Sequence, residues 1–429
     1  MLHVGMAQKI TYYKNIQPII QRNCLECHIQ NGAGPFDLNS YESVSKRAHT
    51  IQKVTTSGFM PPWQVDTNYS KLSGIKKLTL QDLKLIDKWI KKGMPKGDDV
   101  DLIKDSTLNI TQTNLFGKPD LVLRMKNSVK ITGDNKEQFI IYKFPFEIPF
   151  DTTVCYCEFI ADKKTLVHHM DAFVYNVNDN VNVNQPPYIL STDSILNYQA
   201  IPFKFGLSTP ENQAQEINGA VWDYFPGSKL IKYPDGIYRS FKINKKGAIV
   251  ANSLHYGGSP NAVTDSSYFN IFYCKQKVDR QIIALSIGSP SQEIVPPLLI
   301  PPNVTRTFYS SYYTRFDLSL IAVQPHMHYI GKQFTAYAIT PNKDTIKLIK
   351  IDKWDFRWQR QYKFKKMLYI PKGSEIVTEG HYDNTVNNPF NPSNPPQTIY
   401  HSIKTKDEML QLWLYFVKFK KGDEKISLE

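Results

Sequence analysis

From Pro119 to its C-terminus this chain is a succession of short β-branched and aromatic runs, separated by clusters of Pro, Gly, Asn and Asp. Gln138-Phe-Ile-Ile-Tyr-Lys-Phe144 and Gln411-Leu-Trp-Leu-Tyr-Phe-Val417 are representative. Runs of this length with a breaker at each end suit strands, and no long amphipathic helix pattern interrupts them. The spacing predicts all-β antiparallel domains of the sandwich or jelly-roll kind. Roughly 310 residues exceed one such domain, which predicts a boundary near Ser289-Pro290 to Pro297 and two units, 119–290 and 291–429. A chain of 429 residues accommodates three domains in all.

The first hundred residues differ in kind. Cys24-Leu-Glu-Cys27-His28 is a complete C-x-x-C-H motif. Its two thiols fall on one face of a helical turn, where each can form a thioether to a haem vinyl group, and the adjoining histidine can bind the iron. A zinc site would need a second Cys/His pair nearby, and none follows. One covalent haem c is therefore expected. Met60, in Gly58-Phe-Met-Pro-Pro-Trp63, lies on a proline-stiffened stretch that cannot be helix, and is the candidate second axial ligand. His49 and Met94 are its rivals. A His/Met pair goes with a raised reduction potential. Tyr12 to Arg22 reads as a helix. Leu80, Leu83, Ile86, Trp89 and Ile90 mark another, with Thr79 and Asp82 as capping pair and Gly93 as stop. In outline this resembles the class I cytochrome c fold, which implies a small all-α domain over 9–103, followed by a polar linker over 104–118.

Histidine placement in the β region is the second strong signal. Of ten histidines, five beyond His28 fall in strand-like motifs: Leu166-Val-His168-His169-Met170, Ser253-Leu-His255-Tyr-Gly257 and Gln324-Pro-His326-Met-His328-Tyr329. In His326-x-His328 the period of two puts both imidazoles on one face, ready to grip one metal. Adjacent His168 and His169 point to opposite faces of a flat strand. They can share a metal only if the strand twists sharply, or if one binds through Nδ1 and the other through Nε2. Met170 and Met327 have the parity of packing residues. His381 is placed to support a site or face a substrate, while His3, His49 and His401 read as surface residues.

These motifs, in this order, resemble the copper-dependent monooxygenases typified by peptidylglycine α-hydroxylating monooxygenase and dopamine β-monooxygenase, over about residues 119 to 420. The resemblance implies two coppers: one held by His168, His169 and His255, the other by His326, His328 and Met409 of Asp407-Glu-Met-Leu410. Three imidazoles suit a copper that stores electrons, and two imidazoles with a soft thioether favour Cu(I), the state that meets O2. Peptide-amidating members carry an arginine where this chain has Gln324, and a tyrosine where it has Trp413. Without the guanidinium a carboxylate loses its bidentate partner, so glycine-extended peptides are not the expected substrate.

The remaining features bound the setting. A formal charge of +13 comes from lysines scattered among acids, without a basic helix or an aromatic RNA-binding signature. It fits docking to an acidic periplasmic electron donor better than nucleic acid. Apolar runs such as Leu298 to Pro302 are far too short to span a membrane. Haem attachment to C-x-x-C-H takes place outside the bacterial cytoplasm, so export to the periplasm is expected, and residues 1–8 read as the tail of a signal sequence. In that oxidising compartment Cys274 is expected to pair with Cys155 or Cys157. A Cys-x-Cys copper site at those two positions is the alternative. The sequence thus points to an exported oxidoreductase that uses haem c, two coppers and O2 to hydroxylate a small substrate.

Overall fold

A computed structural model describes residues 9–30, 32–98, 116–192, 195, 198–217, 222–226, 231–289, 292–402 and 404–429. The expected signal remnant, most of the expected linker, and residues 290 and 291 at the expected domain boundary lie outside the described residues.

Two antiparallel sheets share a core between Leu121 and Tyr273. One runs, in spatial order, Leu121–Arg124, Tyr268–Tyr273, Thr152–Ile160, Phe241–Ile243; the other runs Ile189–Ser191, Gln138–Glu147, Lys246–Tyr256, Val167–Asn176, Gln215–Glu216. Phe144 from one sheet meets Phe269 from the other edge-on, with ring centroids 5.0 Å apart. The later part repeats the scheme. Ile283–Gly288, Gln411–Lys418, Leu318–His326 and Tyr362–Ile370 form one four-stranded sheet, and Thr305–Tyr313, Glu375–Asp383, Gly331–Ile339 and Thr345–Ile351 form another. Burial alternates strictly along Glu375–Asp383, as a strand with one wet face requires. Leu318–His326, paired on both sides, is buried at every position but the last. That last position is His326.

The expected fold class, an all-α class I cytochrome c domain followed by two jelly-roll or sandwich domains, needs correction. Among the described residues the chain is mostly β, 38% strand against 13% helical, with five short helices, no clear all-α domain, and sheets in a propeller-like arrangement. The physical reason lies in residues 12 to 98. A π-helical turn, Tyr12–Ile16, leads into Gln17–Asn23, and Tyr41–Lys46, Ala48–Thr56 and Leu80–Lys91 follow. The last has the capping box expected of Thr79 and Asp82, and Gly93 beyond it adopts φ 75°. Between the third and last helices, however, the chain leaves the helical cluster. Val65 bridges Ile351 and Leu72 bridges Phe364, while Trp63, Val65 and Leu72 pack into the C-terminal β core. A segment committed to another unit's core cannot close a separate helical domain.

Candidate metal centres

The first cluster is made by a β-bulge. Val167–Asn176 and Lys246–Tyr256 pair so that Tyr256 opposes Val167 and His255 opposes His169, which leaves His168 as the extra residue. That irregularity answers the parity problem of adjacent histidines: both imidazoles reach His255, with ring centroids 4.9 Å away for His168 and 4.8 Å for His169. They approach it from different sides. His169 Nδ1 lies 3.3 Å from His255 Nδ1, whereas His168 joins His255 and Glu137 in a set whose donor atoms all lie within 4.8 Å of one another. Phe139 stacks on His255 at 4.0 Å with a 12° interplanar angle and holds its ring. Gly257 packs against His168 so closely that a β-carbon there would stand 2.5 Å from Nε2. Gly257→Ala should therefore displace His168 and weaken any metal binding at this cluster by about tenfold or more, the scale of a disturbed ligand support. Chelator competition would measure it, and an unchanged affinity would mean that His168 is not a ligand.

The second cluster lies at the end of Leu318–His326. His326 and His328 have ring centroids 5.1 Å apart. His328 Nδ1 donates to the Asp407 carbonyl at 2.9 Å. His326 Nδ1 donates to Gln359 Oε1, whose orientation follows from Gln359 Nε2 donating to the Phe356 carbonyl at 2.9 Å. With each Nδ1 carrying the proton, each Nε2 is left with a lone pair, the state a metal needs. Burial pushes His326 down to about 4 and His328 down to about 3, so both are neutral at physiological pH. Burial also lowers His168 to about 4, and burial with four neighbouring imidazoles holds His169 well below the usual range.

Met409 is buried in the segment entering Gln411–Lys418, two residues before Gln411, which opposes His326. Glu408 fastens that segment. Fully buried, it accepts the His328 N–H at 2.7 Å and the Ile330 N–H at 2.8 Å, as well as the Met409 N–H at 3.2 Å. Burial raises its carboxyl to about 8 against the pull of those amides. Tyr382 Oη donates to the Met409 carbonyl at 2.7 Å.

Phe356 stands between the clusters, its ring centroid 5.7 Å from His169, 5.9 Å from His328 and 4.6 Å from Tyr329. Sequence reasoning missed Glu137, Phe356, Gln359 and Glu408; each is far along the chain from the histidine it serves, and among them Glu408 had a usable signal in its place beside Met409. Met170 and Met327 are packing residues of the two β cores. His381 bonds Thr307 Oγ1 through Nδ1 at 3.0 Å. Gln324 accepts from Tyr415 Oη at 3.0 Å and opposes Trp413 across the sheet.

The C-x-x-C-H motif forms a turn after Gln17–Asn23. His28 Nδ1 donates to the Phe36 carbonyl at 3.0 Å, which leaves Nε2 for an iron. Gly34 lies against the imidazole, where a β-carbon would meet Nδ1 at 2.6 Å. Neither Cys24 nor Cys27 is in a disulfide, and Cys27 Sγ lies 3.9 Å from the Pro226 carbonyl of the first β unit. These residues fit a covalent haem. Met60 is half-buried, its N–H bonded to the Val54 carbonyl at 3.0 Å, His49 is exposed on its helix, and the Met94 carbonyl accepts from Tyr41 Oη at 2.9 Å. A cavity of 350 Å³ beside this turn is lined by Glu26, Trp63, Tyr156, Asp223, Arg239 and Tyr362. Cys155 is disulfide-bonded to Cys274, and Cys157 is free and buried. A bulge selects the pair: Phe272 opposes Tyr156 and Tyr273 opposes Val154, which leaves Cys155 as the extra residue beside the end of that strand. With Cys155 oxidised, the Cys-x-Cys dithiol site does not form.

Residues 291–427 match the family described as copper type II ascorbate-dependent monooxygenase, C-terminal domain. That span contains His326, His328 and Met409, and it supports copper-dependent monooxygenase chemistry, with a small-molecule substrate and O2. No curated protein matches the chain. Among solved structures, the VP2 subviral particle of infectious bursal disease virus aligns over 72% of this chain and 73% of that chain, at 8% identity and a TM-score of 0.19. T=1 particles derived from the same virus align over 71% and 70%, at 9% identity and 0.19. Scores that low carry no argument. Among the described residues, no helix is long and apolar enough to cross a membrane.

Proposed function

We propose that this chain is an exported haem- and copper-dependent monooxygenase. It inserts one atom of O2 into a C–H bond of a small substrate, reduces the other to water, and takes two electrons through a haem c in its first hundred residues. The observation that carries the reading is the state of His326, half-buried, and His328, buried: both neutral, each Nδ1 committed to an acceptor so that Nε2 keeps its lone pair, inside the span that matches the copper family.

On this reading His326, His328 and Met409 hold the copper of the oxygen site, and His168, His169 and His255 hold the other. Copper in these sites supplies one-electron redox chemistry and the activation of O2. The chain's own residues do the rest. Glu408 holds Met409 and the His326-x-His328 turn in one hydrogen-bonded unit, and Gln359 and the Asp407 carbonyl orient the two imidazoles. Phe356 keeps apolar surface between the clusters, where water would intrude. Gln324, tied to Tyr415, offers no cation to a substrate carboxylate, which supports a substrate other than a glycine-extended peptide.

Cys24 and Cys27 would hold a haem through thioethers, His28 and Met60 would bind its iron, and the group would supply one-electron transfer. Packing of Cys27 against Pro226 favours delivery within one molecule over a loosely tethered carrier. Metal analysis of the periplasmic protein should return two coppers and one iron per chain, and the reduced protein should consume O2 only when substrate is added. Two coppers without substrate-dependent uptake across a broad panel would favour a non-catalytic electron-transfer or copper-binding protein instead.

Met60→Ala should remove the thioether–iron charge-transfer band at the red end of the spectrum and lower the haem potential. An unchanged spectrum would pass the sixth position to His49 or Met94.

A further inference from the structure

We infer that Glu137 is a metal ligand of the first cluster, an oxygen donor beside His168 and His255. The assignment rests on the copper reading of this cluster and puts Glu137 in the place of His169, which meets His255 on its Nδ1 side while Glu137 meets Nε2. Glu137 lies one residue before Gln138–Glu147, the strand on which Phe139 opposes and stacks on His255. Its Oε2 stands 3.4 Å from His255 Nε2. At 3.4 Å the two make an ion-pair contact but not a hydrogen bond of good geometry, and the nitrogen is otherwise unpartnered on a side chain only 3% exposed. His168 closes the set, held in place by the bare backbone of Gly257.

A buried imidazole nitrogen without a partner is costly unless something binds it. Two imidazoles and a carboxylate converging within 4.8 Å are a donor set for a divalent transition metal. The carboxylate is itself oriented: Tyr329 Oη donates to Oε2 at 3.2 Å. Tyr329 directly follows His328, so one hydrogen bond joins the carboxylate of the first cluster to the turn that carries the second. An oxygen donor is harder than imidazole and favours Cu(II) over Cu(I). Glu137 therefore stabilises the oxidised form of this site and lowers its potential relative to three imidazoles alone.

The test uses the full chain carrying His326→Ala, so that Cu(II) binds at the first cluster alone, titrated against a competing chelator and followed by electron paramagnetic resonance. Glu137→Gln should weaken Cu(II) binding by about 10- to 100-fold and change the copper hyperfine coupling, and Glu137→Asp should restore part of both. Glu137 is 46% exposed on its side chain, so neither change removes core packing. If Glu137→Gln leaves affinity and spectrum unchanged while His168→Ala abolishes binding, the carboxylate is only a neighbour of His255 and the inference is wrong, with the copper reading intact. If the parent binds no Cu(II), the copper reading of this cluster falls and the Glu137 assignment falls with it.

Discussion

On the proposed reading, Met409→Ala and His326→Ala are each expected to abolish substrate hydroxylation while the spectrum of a haem held at Cys24–His28 stays unchanged. Changing a group that only supports a metal ligand costs about 10- to 100-fold in affinity or activity, so losing a ligand should cost more than that. Such a haem, held at the Cys24–His28 turn that packs against Pro226, shares no ligand with His326, His328 and Met409, so its spectrum should not respond. Met409 is buried, however, and truncation to alanine also costs about 2–5 kcal/mol of packing. Met409→Leu separates the two effects: it conserves volume at a cost below about 1.5 kcal/mol but removes the thioether. Activity should vanish in Met409→Leu with the melting temperature nearly unchanged. Full turnover in any of the three variants would remove that residue from the oxygen site.

Arg280→Ala should destabilise the folded chain by about 3–5 kcal/mol, the usual penalty for orphaning one partner of a buried ion pair. Arg280 Nη1 and Nη2 donate to Asp423 Oδ1 and Oδ2 at 2.8 and 2.6 Å, with side chains 12% and 4% exposed. Asp423 also accepts from Ser319 Oγ at 2.6 Å and from the Lys420 N–H at 2.9 Å. Burial alone would raise this carboxyl, but those donors hold it down at about 2. Because the folded value lies below the ordinary one, the stabilisation is fully present above the normal carboxylate range and is lost as pH falls toward about 2. The difference between wild type and Arg280→Ala in urea unfolding should therefore be large at pH 7 and shrink in acid. A difference that is small at pH 7, or that is constant with pH, would refute the account. The pair matters because Arg280–Gln281 runs beside Ile237–Tyr238, whereas Asp423 follows the last strand of the C-terminal unit.

The coordination chemistry divides in a similar way between what is local and what is not. The period of two in His326-x-His328 made that pair legible at once, although the strand ends at His326 and the segment after it brings His328 to a ring-centroid distance of 5.1 Å. His168 and His169 were ambiguous for the same reason, and a bulge opposite His255 resolves them. The match over residues 291–427 supports the copper-monooxygenase resemblance for the C-terminal part, which includes Met409. Glu137, Gln359 and Phe356 had no signature, since an isolated Glu, Gln or Phe is common on any chain.

By itself, then, the sequence determined local quantities: the strand character after Pro119, the capping box at Thr79 and Asp82, the C-x-x-C-H turn, and the three histidine motifs. Each depends on residues within a turn or two of one another, where backbone geometry and periodicity act directly. Tertiary structure alone decided that Trp63 to Leu72 joins the C-terminal core instead of closing a helical domain. It also decided that Cys155 and not Cys157 pairs with Cys274, and that Glu137 faces His255. All three turn on strand register and bulge position between segments distant in sequence. A shift of one residue reverses every side chain on a strand, and the register is set by the summed burial of both faces, which no local pattern contains.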